Sequence, residues 1–381
     1  MRVLALLAAI LVSCATPPVV LPTPTPTREP GVLKVAVMLN LSGQGGLSGQ
    51  AQRSAMQLWI DEPSSAPVKL RVTFVDVAGS DTKLLLEVRR AVVGDGADAL
   101  VIGVPLSVAD PTLNAIAVAA VPTILTLPIA EPAAAPGGTF TFALAPSPDE
   151  IAHAMASDLV ARGLVQPMLL ASDDSRAAVG ERAAFVTELR RRAIVAPGAV
   201  DLETPDGPQR ARTAAAFAKS VVLTGASAPY GDVIRSIPVA IDAPRVYLSY
   251  LTETADVTNL RDQSALVTWP GSRGVVGAPV SGASTSFFQR FADRYGAPST
   301  IAATAYDALG LIQRAASAAP SETDAARLRQ RLEATTFGGV VTRYSFTPMR
   351  HLGFGIEDLA LLRWNAQTGR AFVAARPVEP A

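Results

Sequence analysis

The sequence predicts an α/β fold made of two lobes, each with a parallel central sheet flanked by helices. The first observation behind this prediction is the regular alternation of short β-rich runs with helical stretches from residue 33 onward. The second is that this alternation starts again after residue 147. The third is the length of 381 residues, which exceeds what one hydrophobic core usually organises. Strand–helix alternation of this kind is typical of βαβ units, whose strands run parallel.

The first series predicts four strands separated by three helices. We expect strands over residues 33–39, 70–76, 99–102 and 122–127. We expect helices over residues 49–62 and 81–93, and a third that ends at residue 120. The second helix shows the clearest pattern, because Leu84, Leu85, Val88 and Val92 fall on one face.

The second series opens with a strong helix start, Ser147-Pro148-Asp149-Glu150. The serine can cap the helix, the proline suits its first position, and the glutamate completes a capping box. The pattern then predicts strands over residues 168–171, 221–224 and 246–249. It also predicts a helix that ends at Arg190-Arg191-Arg192 and a short helix near Ile234. We interpret the three arginines as a solvated helix end that complements the helix dipole.

Helical patterns return in the last hundred residues, over residues 286–295, 300–318 and 323–335. A β-rich tail follows over residues 343–346 and 359–373, and Gln367-Thr368-Gly369 within it fits a hairpin turn. The sequence therefore predicts three late helices before a final pair of strands.

The first 14 residues have the features of a secretory signal. Arg2 precedes an apolar run, Val3 to Val12, that is too short for the roughly 20 residues of a membrane span. The tetrapeptide that ends at Cys14 resembles the lipobox of bacterial lipoproteins. This resemblance implies that residues 1–14 form a lipoprotein signal and that Cys14 is the lipid attachment site. An ordinary signal peptide that contains a cysteine is the alternative.

Residues 15–31 are expected to form a tether between this anchor and the folded part of the chain. Six prolines interrupt the segment, so neither a helix nor a sheet can form there. They are Pro17, Pro18, Pro22, Pro24, Pro26 and Pro30. At about 3.1 Å per residue, the segment would hold a domain up to roughly 50 Å from a membrane. We expect the acyl chains to be the only membrane attachment, because no later stretch is apolar enough to cross a bilayer.

Composition argues against a polyanionic partner and against disulfides. Lys plus Arg and Asp plus Glu both number 33. The chain therefore lacks the excess of positive charge that attracts nucleic acid. Cys14 is the only cysteine, so the mature chain must gain its stability from its core. We expect no nucleic-acid partner.

Residues that usually perform catalysis or bind metals are sparse. The two histidines, His153 and His351, are not at metal-ligand spacing, and the chain has no Gly-x-Ser-x-Gly motif. Asp173-Asp174 follows a predicted strand, and we interpret the pair as part of a helix-capping loop rather than as catalytic carboxylates. We therefore expect neither enzymatic activity nor a bound metal.

One glycine-rich loop has the outline of a dinucleotide-binding fingerprint. Gly43 and Gly45 fit its first two glycine positions, but Ser48 occupies the third. Because the spacing fails, we expect no cofactor.

Three pairs of segments carry a resemblance to a known family. The first pair is residues 33–43 (LKVAVMLNLSG) and Gly49-Gln50, the second is residues 99–107 (ALVIGVPLS) and 121–124 (VPTI), and the third is residues 287–296 (FFQRFADRYG) and 303–308 (ATAYDA). Together they resemble the type I periplasmic substrate-binding proteins of ABC transporters, especially the leucine/isoleucine/valine-binding branch. The resemblance runs from about residue 33 to residue 346.

The resemblance implies two Rossmann-like lobes joined by a three-segment hinge near residues 143–146, 275–279 and 337–344. The N-terminal lobe would contain residues 32–144 and 278–337. The C-terminal lobe would contain residues 145–277 and 338–381. It further implies a monomeric substrate-binding lipoprotein at the periplasmic or outer face of the cell membrane. Such a protein closes on a small molecule, for example an amino acid, and presents it to the permease subunits of an ABC importer.

The resemblance also implies ligand contacts in both lobes. The candidates are Ser42, Ser48, Ser107, Thr126 and Ala130 in the first lobe, and Ser227, Tyr230, Tyr250 and Glu253 in the second. Ser107 matches the family serine that binds the ligand carboxylate at the start of the third helix. Ala130 stands where the family has a hydroxyl group, and Val179, before Gly180-Glu181, stands where it has an aromatic residue. The acidic partner of the ligand ammonium is replaced near Tyr250, and Glu253 is the candidate substitute.

These departures leave the ligand open. A buried ammonium group without an acidic or carbonyl partner loses several kcal/mol of compensation. A less polar or differently charged small molecule therefore fits as well as a standard amino acid. The alternative function is that of a lipid-anchored regulator or sensor of this fold with a degenerate ligand site.

Overall fold

The chain forms two helix-flanked sheets of five and seven strands. This computed structural model describes residues 29–43, 45–225, 229–240, 243–252, 266–276, 282–321, 324–365, 367–368 and 370–375. All four pairings in the first sheet are parallel, as are four of the six in the second. The predicted fold class, two Rossmann-like lobes with mainly parallel sheets, is confirmed.

The first sheet has the strand order β2-β1-β3-β4-β5. Its strands are β1 (Val32–Leu39), β2 (Lys69–Asp76), β3 (Ala99–Gly103), β4 (Thr123–Leu125) and β5 (Thr141–Ala143). Every residue of β3 is buried, as expected for a parallel strand covered by helices on both faces. The sequence did not predict β5, because three residues are too few to show a period of two.

Three helices accompany this sheet along the chain. They are α1 (Gly46–Ile60), α2 (Asp81–Arg89, continued by a π-helical turn over Arg90–Gly94) and α3 (Pro111–Ala119). α1 begins three residues before the predicted start. At Gly49 a Cβ atom would lie 1.8 Å from the carbonyl oxygen of Asn40, so only glycine allows the helix to approach the end of β1 so closely.

The second sheet has the order β14-β13-β10-β9-β8-β6-β7. Its strands, and the separate hairpin β11–β12, are β6 (Met168–Ser172), β7 (Ala199–Asp201), β8 (Ser220–Thr224), β9 (Arg245–Leu248), β10 (Val267–Ser272), β11 (Thr336–Gly338), β12 (Arg343–Ser345), β13 (Leu359–Asn365) and β14 (Arg370–Ala375). β13 runs antiparallel to β10 and to β14, which confirms the predicted final hairpin. β7 and β10 were not predicted. β10 contains Pro270 and Gly271, which the sequence pattern marks as unfavourable for a strand.

The helices of the second series are α4 (Pro148–Ala161), α5 (Arg176–Arg191), α6 (Gly207–Ala215) and α7 (Pro229–Arg235). The predicted capping box of α4 is present: Glu150 N–H donates to Ser147 Oγ at 3.2 Å, and Ser147 N–H donates to Glu150 Oε2 at 2.8 Å. The arginines at the end of α5 are only partly solvated. Arg192 Nε donates to Glu188 Oε1 at 2.7 Å, and His153 Nδ1 lies 3.1 Å from the same oxygen.

The late helices pack against the first lobe. They are α8 (Gly282–Tyr295), α9 (Thr300–Ser317) and α10 (Ala325–Ala334). Tyr306 in α9 donates to Glu62 Oε2 at 2.9 Å, and Gln313 Nε2 donates to the carbonyl oxygen of Val68 at 3.1 Å. The chain therefore returns to the first lobe after β10. In the described ranges, no helix combines the length and the apolar character that crossing a membrane requires.

The chain passes between the two lobes three times: after β5, between β10 and α8, and after α10. The first and third crossings are joined by backbone hydrogen bonds. Ala143 N–H donates to the carbonyl oxygen of His351 at 2.9 Å, and Gly353 N–H donates to that of Ala143 at 2.9 Å. The exact domain boundaries named above stay predictions.

Asp307 in α9 fixes the start of the third crossing. This buried carboxylate accepts hydrogen bonds from the backbone N–H groups of Val340 and Val341 at 2.7 and 3.0 Å and from the Tyr344 hydroxyl at 3.0 Å. Burial raises the pKa of Asp307 to about 7, against the opposing effect of these three donors. The segment over residues 340–344 is thus held by the first lobe.

A candidate ligand cleft

The carboxyl ends of the two sheets line a common cleft. The loops after β1 to β4 approach it from the first lobe, and the loops after β6 and β9 approach it from the second. Ligands of open parallel sheets bind at this edge, because loops and helix N-termini converge there. The cleft contains two adjoining cavities that share Pro105, Leu127, Arg176, Ala177 and Leu251.

The first cavity is the more polar of the two and has a volume of about 250 Å³. Its first-lobe wall includes Asn40, Ser48 and Asp81, and its second-lobe wall includes Asp174 and Arg176. Asn40 is itself engaged, because its Oδ1 accepts a hydrogen bond from Gly79 N–H at 2.8 Å. We name this space the polar cavity.

The second cavity is mainly aliphatic and has a volume of about 370 Å³. It lies between the loops after β3 and β4 and the helix α5. Its apolar wall includes Leu106, Leu127, Ile129, Ala184 and Leu251, and its polar groups include Ser107, Asp149 and Glu181. We name this space the apolar cavity.

Arg176, the first residue of α5, bridges the two lobes. Its Nη1 donates to Asp110 Oδ2 and its Nη2 donates to Asp81 Oδ2. Asp110 is buried and caps α3, since its Oδ1 accepts from Thr112 N–H at 2.8 Å. One guanidinium group therefore ties the start of α5 to the starts of α2 and α3.

The loop before α5 is built by Asp173 and Ser175. Asp173 Oδ1 accepts hydrogen bonds from the backbone and side chain of Ser175, whose Oγ in turn accepts from Ala178 N–H at 3.3 Å. Gly225 lies against this loop with φ of 117°, and a Cβ there would sit 2.3 Å from Asp173 Oδ2. The interpretation of Asp173-Asp174 as part of a capping loop is therefore confirmed.

Glu181, one turn further along α5, lines the apolar cavity, and its carboxyl group is buried. Only 8 % of the residue is exposed. Its Oε1 accepts a hydrogen bond from Ser249 Oγ at 2.8 Å, and its Oε2 has no hydrogen-bond partner in the described part of the chain. Burial raises the pKa of Glu181 to about 7, against the opposing effect of hydrogen bonds from the Ser249 hydroxyl and from the backbone N–H groups of Gly225 and Tyr250.

A family model described as periplasmic binding protein matches residues 32–370. The chain belongs to this family. The chain matches no curated protein. Solved structures with the same fold include the branched-chain amino acid transporter substrate-binding protein LivJ from Streptococcus pneumoniae, in complex with isoleucine. It is 19 % identical, with a TM-score of 0.73, over 92 % of this chain and 100 % of that one.

Two further members of the fold are similar over comparable lengths. The leucine-binding protein LivK from Thermotoga maritima is 14 % identical with a TM-score of 0.74, over 90 % of this chain and 98 % of that one. An ABC transporter substrate-binding protein from Sphaerobacter thermophilus is 21 % identical with a TM-score of 0.71, over 90 % and 96 %. At these identities the likeness establishes the periplasmic binding protein fold.

Three of the candidate ligand residues in this family member lie on cavity walls. Ser48 lines the polar cavity, and Ser107 and Ala130 line the apolar cavity. The sequence resemblance placed Ser107 at the start of the third helix, but α3 begins four residues later, at Pro111. Ser107 is instead an exposed loop residue whose carbonyl oxygen accepts from Asp110 N–H at 3.0 Å.

Three other candidates lie in neither wall. Ser42 is exposed and donates to Asp76 Oδ2 at 2.6 Å. This hydrogen bond is the main cause that lowers the pKa of Asp76 to about 2. Thr126 is fully buried and donates to Gln52 Oε1 at 2.6 Å. Tyr250 packs in the core of the second lobe, with 1 % of it exposed. The hydroxyl groups of Ser42 and Thr126 are thus bound within the first lobe, and the contact of all three residues with a ligand stays a prediction.

Several predicted residues fall outside what the structure describes. They are Cys14, Ser227 and Glu253, together with the side chain of Tyr230 in α7. Val179 is described and is exposed, but it lines neither cavity, whereas the adjoining Gly180 and Glu181 both line the apolar cavity.

Sequence reasoning missed Arg176 and the role of Glu181, although each carries a readable signal. A basic residue at the first position of a helix opposes the helix dipole, so Arg176 required a partner outside its own helix. Glu181 follows the helical period of the buried residues Ala178, Phe185 and Glu188, and carboxylates on a core-facing stripe are unusual unless they are paired. In the described residues, no group of three or more acidic or histidine side chains is placed to hold a metal ion.

Proposed function

We propose that this periplasmic binding protein is the substrate-binding component of an ABC importer. It captures a small molecule in the cleft and delivers it to a membrane permease. The observation that supports the proposal most directly is that both cavities are walled by both lobes, with Arg176 of one lobe bound to Asp81 and Asp110 of the other. Such a site changes shape when the lobes move about their crossings, which is how a binding protein encloses its ligand.

The two cavities suit a molecule of the size of an amino acid or a related compound. The apolar cavity, with a volume of about 370 Å³, lies at the lower end of the range of roughly 300–1,000 Å³ for small-molecule sites, and the polar cavity, with about 250 Å³, lies just below that range. The isoleucine named with the LivJ structure and the leucine named with LivK give the first ligands to test. We propose binding without catalysis, as is usual for binding proteins.

The proposal places the protein outside the cytoplasm, as a monomer attached through Cys14. A periplasmic binding protein family implies an extracytoplasmic location. A Cys14→Ser variant should leave the membrane fraction while it keeps its melting temperature. If this variant still sediments with membranes, the acyl anchor is disproved and the transport proposal is not affected.

A thermal-shift screen tests the transport proposal. The panel contains leucine, isoleucine, other amino acids, amides, amines and aromatic acids. A ligand at a hundredfold excess over its Kd stabilises the folded state by about 2.7 kcal/mol. Ser107→Ala, which changes an exposed cavity-wall residue, should lower the affinity of a hit and leave the unliganded melting temperature unchanged. A panel without hits would reject a transport role.

One observation favours the second candidate function, a lipid-anchored regulator or sensor with a degenerate site. Ala130 brings no hydroxyl to the apolar cavity, and the Thr126 hydroxyl is bound to Gln52. A regulator would show no ligand stabilisation and would instead be recovered with a membrane protein after crosslinking in cells. The same thermal-shift panel therefore separates the two functions.

A further inference from the structure

Gln52 in α1 carries a fully buried amide group that lies next to the first-lobe wall of the cleft. Its Nε2 donates to the carbonyl oxygen of Gly103 at 2.9 Å, and its Oε1 accepts from the Thr126 hydroxyl at 2.6 Å. Nε2 also lies 3.5 Å from Ser48 Oγ, one turn earlier in α1. This one side chain therefore joins α1 to the end of β3 and to the residue after β4.

The partners of the amide fix its orientation. The carbonyl oxygen of Gly103 can only accept a hydrogen bond, so it must face Nε2, and the Thr126 hydroxyl then donates to Oε1. A side chain of the same length without a donor would leave the Gly103 carbonyl oxygen without this partner. At Gly103 a Cβ atom would lie 2.2 Å from Gln52 Oε1, so the close contact also requires glycine there.

The two strand ends held by Gln52 begin the loops that form the cavity walls. Every described first-lobe residue that lines the apolar cavity falls within residues 105–108 or 127–130. Val104, Pro105 and Leu127 of the same two loops also line the polar cavity. Gln52 itself lines neither cavity. It therefore acts on the walls from behind.

Backbone pairing between β3 and β4 does not extend into these loops. It ends with Thr126 N–H, which donates to the carbonyl oxygen of Ile102 at 3.2 Å. At that point the side chain of Gln52 bonds to the next residue of one chain, Gly103, and to the hydroxyl group of Thr126 on the other. Both loops thus leave the sheet from positions that a single amide fixes relative to α1.

From these contacts we infer that Gln52 is the positioning residue of the ligand site. It holds the loops after β3 and β4 in the conformation that receives the bound molecule, and it does not touch that molecule. The inference rests on the proposed binding function and deepens it. A site whose walls are held in the binding conformation has a lower Kd, because the apparent Kd rises as the fraction of protein in that conformation falls.

Calorimetric titration of Gln52→Met with isoleucine tests the inference. Methionine keeps the length of the side chain and removes both its donor and its acceptor. We expect the Kd for isoleucine to rise by about tenfold or more, since the binding conformation becomes a minor one. A role in stability alone would lower the melting temperature of the variant and leave its Kd unchanged at temperatures where the protein is folded.

Gln313 in α9 provides a matched control in the same lobe. Its Nε2 donates to the carbonyl oxygen of Val68 at 3.1 Å, and its Oε1 accepts from Ser64 Oγ at 3.2 Å. The pattern of one donated and one accepted bond is that of Gln52, but Gln313 and its partners line neither cavity of the cleft. Gln313→Met should bind isoleucine with a Kd within about twofold of that of the unmodified protein.

Gln52→Glu provides a rescue that depends on pH. An ionised glutamate presents only acceptors to the Gly103 carbonyl oxygen, whereas the protonated acid offers one O–H donor and one carbonyl acceptor, as the amide does. The groups that face this position, Ser48, Gly103 and Thr126, do not titrate between pH 5 and pH 8. The Kd of the variant divided by that of the unmodified protein at the same pH should therefore fall by about fivefold or more from pH 8 to pH 5.

Hydrogen exchange tests the inference without a ligand. The buried Thr126 N–H, bonded to the carbonyl oxygen of Ile102, should exchange about tenfold faster or more in Gln52→Met, because the loop after β4 loses its attachment to α1. Asp98 N–H, which donates to the carbonyl oxygen of Lys34 at 2.9 Å before β3 begins, should keep its rate. If Gln52→Met does not fold, Gln52→Glu, compared between pH 5 and pH 8, replaces it in both measurements.

The failures of the two proposals are distinguishable. The positioning inference is overturned if Gln52→Met binds isoleucine as Gln313→Met does, if the Kd ratio of Gln52→Glu is the same at both pH values, or if the exchange of Thr126 N–H is unchanged. Each of these results leaves the transport proposal standing. If the unmodified protein does not bind isoleucine, the exchange of Thr126 N–H decides the inference, and the wider ligand panel decides the transport proposal.

Discussion

The two walls of the cleft use their polar groups in different ways. In the first lobe, Thr126 bonds to Gln52 and Ser42 bonds to Asp76, so these side chains hold loops of their own lobe together. In the second lobe, α5 directs Arg176 across the cleft to Asp81 and Asp110 and keeps the carboxyl group of Glu181 buried. Among the described residues, the ion pairs that join the two walls are therefore made from one helix of the second lobe.

The largest effect that would sharpen this comparison concerns Glu181 and pH. The folded state raises the pKa of its carboxyl from the ordinary 4.5 to about 7, so the folded protein binds the proton more tightly than the unfolded chain. Stability is then fully retained below pH 4.5 and is lost as the pH rises toward 7, by roughly 3 kcal/mol. Glu181→Gln should remove this loss. Urea unfolding of both proteins at pH 4.5 and pH 8 measures this loss. If both proteins lose the same free energy of unfolding between these two pH values, the prediction is contradicted.

Breaking the bridge between the walls should have the next largest effect. Arg176→Ala leaves Asp110, whose side chain is only 3 % exposed, buried without its cation. We expect a loss of about 2 kcal/mol, less than for a fully buried pair because the arginine is partly exposed to solvent. Small-angle X-ray scattering should also show a larger radius of gyration, as the lobes separate.

Arg210→Ala is the matched control for that variant. Arg210 pairs with Asp206 on the surface, with side chains 53 % and 68 % exposed, so its removal should change stability by less than about 0.5 kcal/mol. An Arg176→Ala protein that behaves like this control would show that the bridge does not hold the lobes together.

A smaller effect should distinguish a structural hydroxyl from a cavity-wall hydroxyl. Thr126→Val removes the donor to Gln52 Oε1 in a fully buried site, and we expect a loss of about 1–2 kcal/mol. The same change at Thr187, an exposed residue of the apolar cavity wall, should cost almost nothing. Chemical denaturation of the two variants compares them directly, and similar losses would remove the distinction between the walls.

The smallest effect concerns the loop after β1. The Ser42 hydrogen bond is the main cause of the lowered pKa of Asp76, about 2, so the stabilisation from this carboxylate is present above its ordinary pKa and is lost as the pH falls toward 2. Ser42→Ala should move the pKa of Asp76 upward, toward its ordinary value of 3.8. An NMR titration of the Asp76 carboxyl carbon checks this, and an unchanged pKa would mean that the backbone donors alone account for it.

The sequence revealed the elements whose signals are local. The capping box at Ser147 and Glu150 lies within four residues, and the strand–helix alternation predicted both lobes and their parallel sheets. β10 was missed because Pro270 and Gly271 weaken its strand pattern, and its antiparallel partner β13 lies about ninety residues away. Strand propensity can be read from one short segment, whereas pairing between distant strands depends on the whole fold.

The site was harder to predict, because its contacts are distant in sequence. Arg176 and Asp110 are 66 residues apart, and Glu181 and Ser249 are 68 apart. Ser107 and Ala130, which the family resemblance indicated, lie on a cavity wall, but the resemblance could not show that the Thr126 hydroxyl turns inward to Gln52. The alternation of side chains along a strand determines which face of the sheet a residue occupies, but it does not determine the hydrogen-bond partner of its polar atoms.

The backbone hydrogen bonds between residue 143 and residues 351–353 affect how the two lobes can move. Two of the three covalent links between the lobes are fused into one ribbon by the bonds of Ala143 with His351 and Gly353, and Asp307 clamps the upstream part of that ribbon to the first lobe. Sliding one of these two segments along the other would break the bonds, whereas bending or twisting the pair as a unit preserves them. The two crossings therefore move together when the lobes change their relative orientation.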